Sequence, residues 1–117
     1  MYYRTHAAID LDALEYNFTN TRSKLPDEVM LLCVVKADAY GHGAVRVARF
    51  LDKQCDFFGV ACVEEARELK EAGIQTPILI LGYVSPSEYE YVVQNDIRIP
   101  IFRLSDAQQL IPCGKRL

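Results

Sequence analysis

The stretch Cys33–Gly43 reads Cys-Val-Val-Lys-Ala-Asp-Ala-Tyr-Gly-His-Gly, and its first residues complete an apolar run that starts at Val29. An unbroken apolar run of this kind is typical of a strand buried on both faces of a parallel sheet. We therefore predict a buried strand over Val29–Lys36. Lys36 then lies at the carboxyl end of the strand, on the rim of the sheet where α/β folds place their chemistry.

The turn after Lys36 combines groups that suit a phosphorylated aldehyde. Gly41 and Gly43 can adopt positive φ and let a ligand approach the backbone closely. Tyr40 adds a hydroxyl, and the predicted next helix begins with free N–H groups that attract anions. A lysine that only extends from a strand end into water is the alternative on position alone. The amine beside an anion site instead favours pyridoxal 5'-phosphate (PLP), which needs both.

Strands and helices alternate along the rest of the chain. After the first strand, further strands are predicted at Phe57–Ala61, Ile78–Leu81 and Ile97–Phe102. Helices are predicted at Leu11–Ser23 with Asp10 as N-cap, at 43–53, at Val63–Ala72, at 85–94 and from Ser105, the last two starting with capping boxes. Such alternation predicts an α/β fold of about four parallel strands. On pattern alone, a doubly wound sheet and part of a (β/α)8 barrel both remain open. Pro100 indicates an edge position or an early stop for the last strand.

The stretch Val34–Gly43 resembles the PLP-attachment motif of bacterial alanine racemases, in which the lysine is followed by Ala, Asn or Asp, Ala, Tyr and Gly-His-Gly. Other stretches are similar to the same family: Ile9–Leu14 with Asn17, Phe58–Ala61, Glu64–Ala66 and Pro77–Gly82. The resemblance covers nearly the whole chain, to about Gln109, and it favours a partial (β/α)8 TIM-type barrel. A full barrel takes about 250 residues. Residues 1–117 are therefore expected to be the truncated N-terminal part of a PLP-binding barrel domain, without the other half-barrel and the C-terminal β domain.

The resemblance also implies an activity and its residues. It implies that Lys36 bonds to PLP and acts as one of two proton-transfer bases that interconvert L-alanine and D-alanine, and that Tyr40 donates to the cofactor phosphate. The second base, a tyrosine of the partner subunit, and two arginines are implied to lie outside this chain. A homodimer that takes a small amino acid and supplies D-alanine for peptidoglycan is the implied parent enzyme.

Other residues receive structural interpretations. His42 is expected to orient the turn, and Glu64 and Glu65 are read as first-turn helix acids rather than a catalytic pair. Arg4–Ile9 is a weak strand candidate.

Composition excludes several classes of function. The chain is 50% apolar and 25% charged with a net charge of −3, which is ordinary for a soluble domain, and it has no basic cluster for nucleic acid. Its longest apolar run is far below the roughly 18 residues of a membrane span, and its start has no signal core. Its four cysteines lack metal-ligand spacing, so no metal site is predicted. We expect reduced, mostly buried thiols in a cytoplasmic protein.

Three alternatives stay open. The parent could be a non-catalytic PLP-carrying barrel protein, although the Tyr-Gly-His-Gly turn argues against it, or a serine racemase on the same scaffold. The chain by itself could also be an inert fragment that binds nothing. In each case the open sheet edges predict association of the chain with other copies and no racemase turnover.

Overall fold

The computed structural model describes residues 4–114. The strands are β1 (Leu32–Val34), β2 (Phe57–Val60), β3 (Ile78–Ile80) and β4 (Ile97–Arg98). The helices are α1 (Leu11–Ser23), α2 (Lys36–Tyr40), α3 (Ala44–Leu51), α4 (Val63–Glu71), α5 (Tyr89–Gln94) and α6 (Leu104–Leu110), with 3-10 turns at Pro86–Glu88 and Ile111–Cys113. Each strand is followed by a helical segment, which confirms the predicted alternation.

The strands form one parallel sheet in the order β1-β2-β3-β4. A doubly wound sheet reverses its order part-way along the chain, whereas a barrel adds each new strand on the same side of the last. The strictly sequential order therefore identifies an open part of an α/β barrel. This resolves the choice that the sequence pattern left open.

The helices cover one face of the sheet. Phe58, Val60, Ile78 and Ile80 share that face by register and are almost completely buried. The helices contribute the other half of the core: Ala44, Val47, Ala48, Leu51, Val63, Ala66, Leu69, Tyr89 and Val92. The opposite face, which would line the interior of a closed barrel, is partly open, since Val34 on it is 38% exposed.

The first strand differs from its prediction in burial and length. Among residues 4–114 it pairs only with β2, so Cys33 is half-buried and Val34 exposed, and the expected burial on both faces is wrong. The strand ends at Val34 because the chain turns into α2 at Lys36. The last strand, β4, is an edge strand that ends two residues before Pro100, as the proline predicts.

Several local predictions can be compared with the structure directly. Asp10 caps α1, since its Oδ1 accepts from the N–H groups of Asp12 and Ala13. Arg4–Ile9 forms no strand, because no described strand lies beside it.

Both predicted capping boxes are wrong. Ser85 caps no helix with its side chain and leads into the 3-10 turn Pro86–Glu88. At the later helix the Asp106 carboxylate accepts from the Arg103 N–H at 3.1 Å, which is half of a capping box, and α6 begins at Leu104, before Ser105.

All four cysteines are free thiols, of which Cys55 is buried and Cys113 exposed. The exposure of Cys113 departs from the expected burial. No helix within residues 4–114 is long and apolar enough to cross a membrane.

Candidate functional site

The short segment α2 that follows β1 is a left-handed turn rather than a right-handed helix. Ala37, Asp38, Ala39 and Tyr40 have φ values of 51°, 54°, 54° and 57°, although none of them is glycine. Each L-residue in this conformation costs roughly 1–2 kcal/mol, because its Cβ crowds a carbonyl oxygen. Strained backbone of this kind persists only where its surroundings hold it, and such places cluster at functional sites.

Glu65, in the first turn of α4, holds the start of this turn. Its Oε1 accepts from the Ala37 N–H at 2.9 Å, and its Oε2 accepts from the Ala61 N–H at 2.7 Å. One carboxylate thus connects the ends of β1 and β2 at the carboxyl-end rim of the sheet, next to Lys36. The interpretation of Glu65 as a first-turn helix acid is correct in position, but it misses this role.

Asp38 holds the other end of the turn. Its Oδ1 accepts from the Ala44 N–H at 2.8 Å, and its backbone carbonyl accepts from Gly43 at 2.9 Å. A carboxylate therefore occupies the first N–H of α3, at the helix start where the sequence predicts an anion site. Because the chain supplies its own anion at this N–H, the group is not free as predicted.

The two predicted cofactor residues lie at opposite ends of the left-handed turn. Lys36 is half-buried and Tyr40 is 62% exposed. Gly41 and Gly43 have φ values of 87° and 92°, so both use the conformational freedom predicted for them. His42 orients the turn as expected, with its Nδ1 2.9 Å from the Ala39 carbonyl oxygen.

Further polar groups lie along the same rim, at the ends of β3 and β4. Asp106 is buried and forms an ion pair with Arg103, 2.9 Å from Nη2 to Oδ1. This guanidinium holds the pKa of Asp106 below its usual range. The Arg103 guanidinium also lies 6.0 Å from the ring centre of the exposed Tyr83. Because its charge is already paired, Arg103 is a structural cation of the rim.

The amino-end rim of the sheet is held by two aspartates. Asp52 accepts hydrogen bonds from the N–H and the hydroxyl of buried Thr76, each at 2.8 Å, and from the Gln75 N–H. Burial acts to raise the pKa of Asp52, but these hydrogen bonds outweigh it and the pKa lies below its ordinary value. Asp56 accepts from the Leu31 N–H at 2.6 Å.

The residues present fit PLP in part. Lys36 supplies an amine at the carboxyl-end rim and makes no ion pair with the described residues. Tyr40 supplies an exposed hydroxyl on the same turn, which is free to meet an anion. The start of α3 does not fit the phosphate, because Asp38 is already there. Within residues 4–114, no group of three or more His, Cys, Asp or Glu could hold a metal ion.

Sequence reasoning missed Glu65, Asp38 and the left-handed turn. A usable signal exists for Asp38, which lies three residues before Gly41-His42-Gly43 and so close to the start of a helix. An Asp in such a turn often accepts hydrogen bonds from nearby backbone N–H groups. For Glu65 the signal is weak, because Glu64 beside it is equally acidic. Only the packed helix shows which of the two carboxylates meets the turn.

Comparison with known protein families matches residues 9–117 to the family model described as alanine racemase, N-terminal domain. Among curated proteins, the chain is 43% identical over 107 residues to alanine racemase 1 of Caldanaerobacter subterraneus subsp. tengcongensis, a match that covers 91% of this chain and 28% of that protein. It is 50% identical over 93 residues to an alanine racemase of Xylella fastidiosa, covering 79% of this chain and 25% of the relative.

Solved structures agree with the sequence matches. The chain is 39% identical to an alanine racemase of Clostridium difficile 630 solved in complex with cycloserine, with a TM-score of 0.84 over 88% of this chain and 29% of that one. An alanine racemase from E. faecalis is 36% identical, with a TM-score of 0.83 over 88% of this chain and 28% of the other. The chain thus spans about a quarter of the length of the proteins it matches.

Proposed function

Because the chain belongs to the alanine racemase N-terminal domain family, we propose that it carries the cofactor lysine of a PLP-dependent enzyme that interconverts L-alanine and D-alanine. Residues 1–117 form the N-terminal part of the PLP-binding barrel domain. The observation that carries the proposal is the left-handed turn at the carboxyl-end rim, which presents Lys36 and Tyr40 together.

Lys36 has two tasks in this proposal. Its amine would hold PLP through the cofactor's aldehyde until a substrate amine takes its place. PLP, when bonded to an amino acid, draws electrons from Cα and so makes the Cα proton acidic. The freed Lys36 Nζ accepts or returns that proton on one face of the substrate.

Tyr40 binds rather than reacts. Its hydroxyl donates to a phosphate oxygen, a hydrogen bond to a charged acceptor that is worth roughly 1.5–3 kcal/mol. Because Asp38 closes the start of α3, the remaining phosphate contacts come from groups outside this chain. His42 and the glycines on either side of it shape the turn and take no part in proton transfer.

Racemisation needs a second base on the opposite face of the substrate, and a cation for its carboxylate. The described cations at the rim do not supply the latter, since Arg103 is paired with Asp106. These groups, and the homodimer that we propose for the parent enzyme, therefore depend on sequence beyond this chain. The four free thiols support a reducing, cytoplasmic location for the parent.

Two other activities compete with this one. A non-catalytic PLP-carrying barrel protein would share Lys36, and a serine racemase would share the whole site. The relatives reported above carry the name alanine racemase, which favours alanine as the substrate. We infer that D-alanine formed by the parent enters peptidoglycan synthesis.

The test uses the 117-residue chain and a relative that contains the complete barrel. One sample of each is loaded with PLP, reduced with borohydride and mapped by peptide mass. Separate samples are incubated with L-alanine or with L-serine in D2O. We expect the label on Lys36 in the chain and on the aligned lysine in the relative. Deuterium incorporation and D-alanine are expected only from the relative.

The outcomes separate the parts of the proposal. A label on Lys53 or Lys70, or no label at all, would overturn the cofactor role of this chain. Racemase-level turnover by a stable monomer, judged by sedimentation, would show that the chain needs no further groups. Deuterium exchange with serine but not alanine would transfer the proposal to a serine racemase.

A further inference from the structure

We propose that Glu65 is a positioning residue for Lys36: its carboxylate fixes the left-handed turn to the sheet and so sets where the lysine amine meets the cofactor. The inference rests on the proposed function and assigns to it a residue that touches neither cofactor nor substrate. Its two hydrogen bonds, to Ala37 and Ala61, are the observations that carry it.

The carboxylate is held on a rigid element. Three residues of α4, namely Val63, Ala66 and Leu69, are 5%, 0% and 1% exposed, so the helix is anchored in the core along one face. Its start also favours a negative charge in the first turn, which suits Glu65. A carboxylate that extends from so fixed a helix is a firm anchor for the left-handed turn.

The second contact ties the anchor to the sheet. Ala61 directly follows β2, and its carbonyl oxygen lies where a Cβ on Gly82 would come within 2.5 Å of it. The glycine therefore allows the ends of β2 and β3 to approach closely at this point. Glu65 thus joins Ala37, one residue after Lys36, to a part of the rim that has little room to shift.

The turn needs this anchor more than an ordinary loop does. Its residues are strained, and without an outside contact they would relax to negative φ. Lys36 precedes the strained residues directly and Tyr40 ends them, so relaxation would change the separation of the amine from the hydroxyl. Glu65 thereby controls both proposed cofactor contacts through the backbone alone.

Glu64 provides a matched control. It lies beside Glu65 in the same helical turn and carries the same charge, but it points about 100° away. Its own backbone N–H and Cys62 lower the pKa of its carboxyl, and among residues 4–114 this carboxylate forms no hydrogen bond to the turn. Neutralising either residue removes the same charge from the start of α4. Only neutralising Glu65 also removes a contact with the turn.

The experiment compares wild type, Glu65→Gln, Glu65→Asp and Glu64→Gln in the 117-residue chain. Hydrogen exchange by NMR reports the Ala37 and Ala61 amides, with the Phe58 amide, bonded to the Pro77 carbonyl at 2.9 Å, as an internal reference. Backbone chemical shifts of residues 37–40 report the handedness of the turn. Borohydride labelling after PLP titration reports the fraction bonded at Lys36.

Glutamine has one oxygen, so at most one of the two amides keeps its acceptor. We expect Glu65→Gln to lower protection of at least one amide, and PLP affinity at Lys36, by about ten- to a hundredfold, the loss of one hydrogen bond to a charged group. Phe58 protection stays unchanged in that variant. Glu65→Asp, too short to span both amides, shows an intermediate loss, and Glu64→Gln matches wild type.

Two results would overturn the proposal. One is wild-type protection and chemical shifts in Glu65→Gln. The other is loss of protection with unchanged labelling of Lys36, which would make Glu65 a structural residue only. If Glu65→Gln does not fold, the folded Glu65→Asp variant decides by the same readouts. A wild-type chain without label at Lys36 overturns the proposed function instead, and then the chemical shifts of residues 37–40 alone decide whether Glu65 fixes the turn.

Discussion

At the amino-end rim of the sheet, the Asp52 carboxylate accepts hydrogen bonds from Gln75 and Thr76, whereas at the carboxyl-end rim the Glu65 carboxylate accepts them from Ala37 and Ala61. At both rims a carboxylate thus holds backbone N–H groups in place. The two carboxylates differ in the backbone that they hold. The amino-end contact joins two connecting loops, and the carboxyl-end contact fixes four strained residues that separate the lysine from glycine.

The difference shows how one kind of contact serves two purposes. The amino-end contact lies beside one strained residue, Lys53 with a φ of 65°, but it holds no residue of the proposed site, so its half-buried carboxylate contributes stability only. The carboxyl-end contact holds four strained residues between Lys36 and Gly41, and there the same kind of contact fixes the geometry of the proposed site. Changes at the amino-end rim should therefore alter stability and leave cofactor binding intact, whereas changes at the carboxyl-end rim should weaken cofactor binding whether or not they also lower stability.

The largest contrast is expected between two lysines, one at each rim. Lys36→Ala should abolish covalent PLP labelling completely, because the amine that bonds the aldehyde is gone. Lys53→Ala should leave labelling unchanged, since only the backbone N–H of Lys53 takes part in its contact with Thr76. Peptide mapping after borohydride reduction measures both. Persistent labelling of Lys36→Ala would contradict the proposal that the carboxyl-end rim alone carries the lysine that bonds PLP.

Tyr40→Phe sharpens the comparison within the carboxyl-end rim. Loss of one hydrogen bond to the phosphate should weaken PLP affinity by about ten- to a hundredfold. Tyr16→Phe is the control, because Tyr16 is also exposed, lies on α1 and belongs to neither rim. Absorbance titration with PLP gives both affinities. Equal affinity in Tyr40→Phe and wild type would remove Tyr40 from the phosphate site.

Asp52→Ala tests the amino-end rim. The change leaves the N–H of buried Thr76 without its acceptor, and we expect the free energy of unfolding to fall by about 2 kcal/mol. Urea denaturation followed by circular dichroism measures this. PLP labelling of Lys36 under native conditions should stay at the wild-type level, and a parallel loss of labelling would mean that the two rims are coupled.

Two glycines provide a smaller, matched contrast. Gly41 and Gly73 have φ values of 87° and 83°, and a Cβ on either would meet nothing within 4 Å. Alanine at either position should therefore cost about the same, roughly 1 kcal/mol of stability, from backbone strain alone. Only Gly41→Ala should also weaken PLP binding, because Gly41 adjoins Tyr40. Equal effects of both variants on PLP binding would contradict the proposal that the turn around Tyr40 and Gly41 binds the cofactor.

The smallest effect concerns acid pH. Since the pKa of Asp52 is lowered in the folded chain, its contribution to stability is fully present above the unfolded value of about 3.9 and is lost as the pH falls through the lower folded pKa. Wild type should thus lose more stability between about pH 4 and pH 2 than Asp52→Ala does. Urea midpoints across this range measure the difference, and parallel curves would exclude Asp52 as a source of acid sensitivity.

The sequence predicted the parts of the fold that depend on local pattern. The buried face of α3, with Val47, Ala48 and Leu51, follows from helical periodicity, and Lys36 follows from the end of an apolar run. The left-handed conformation of Ala37 and Ala39 could not be predicted in this way. Alanine favours right-handed backbone, and the contact that overrides this comes from Glu65, 28 residues after Ala37.

The prediction that β1 is buried on both faces was wrong for a related reason. An apolar run indicates which strand can be buried, but the neighbours of that strand decide whether it is. With β2 as its one partner, β1 leaves Val34 exposed within residues 4–114. Burial on the second face depends on contacts that no pattern within the run contains.

The left-handed turn has a consequence for chirality itself. A D-amino acid inverts the map of allowed backbone angles, so the φ of 51° at Ala37 is strained for the natural residue and relaxed for its mirror image. Chemical ligation of a segment with D-alanine at this exposed position would remove roughly 1–2 kcal/mol of strain. In the segment proposed to carry the racemase lysine, Ala37 and Ala39 thus already hold the backbone shape that the D-enantiomer of alanine prefers.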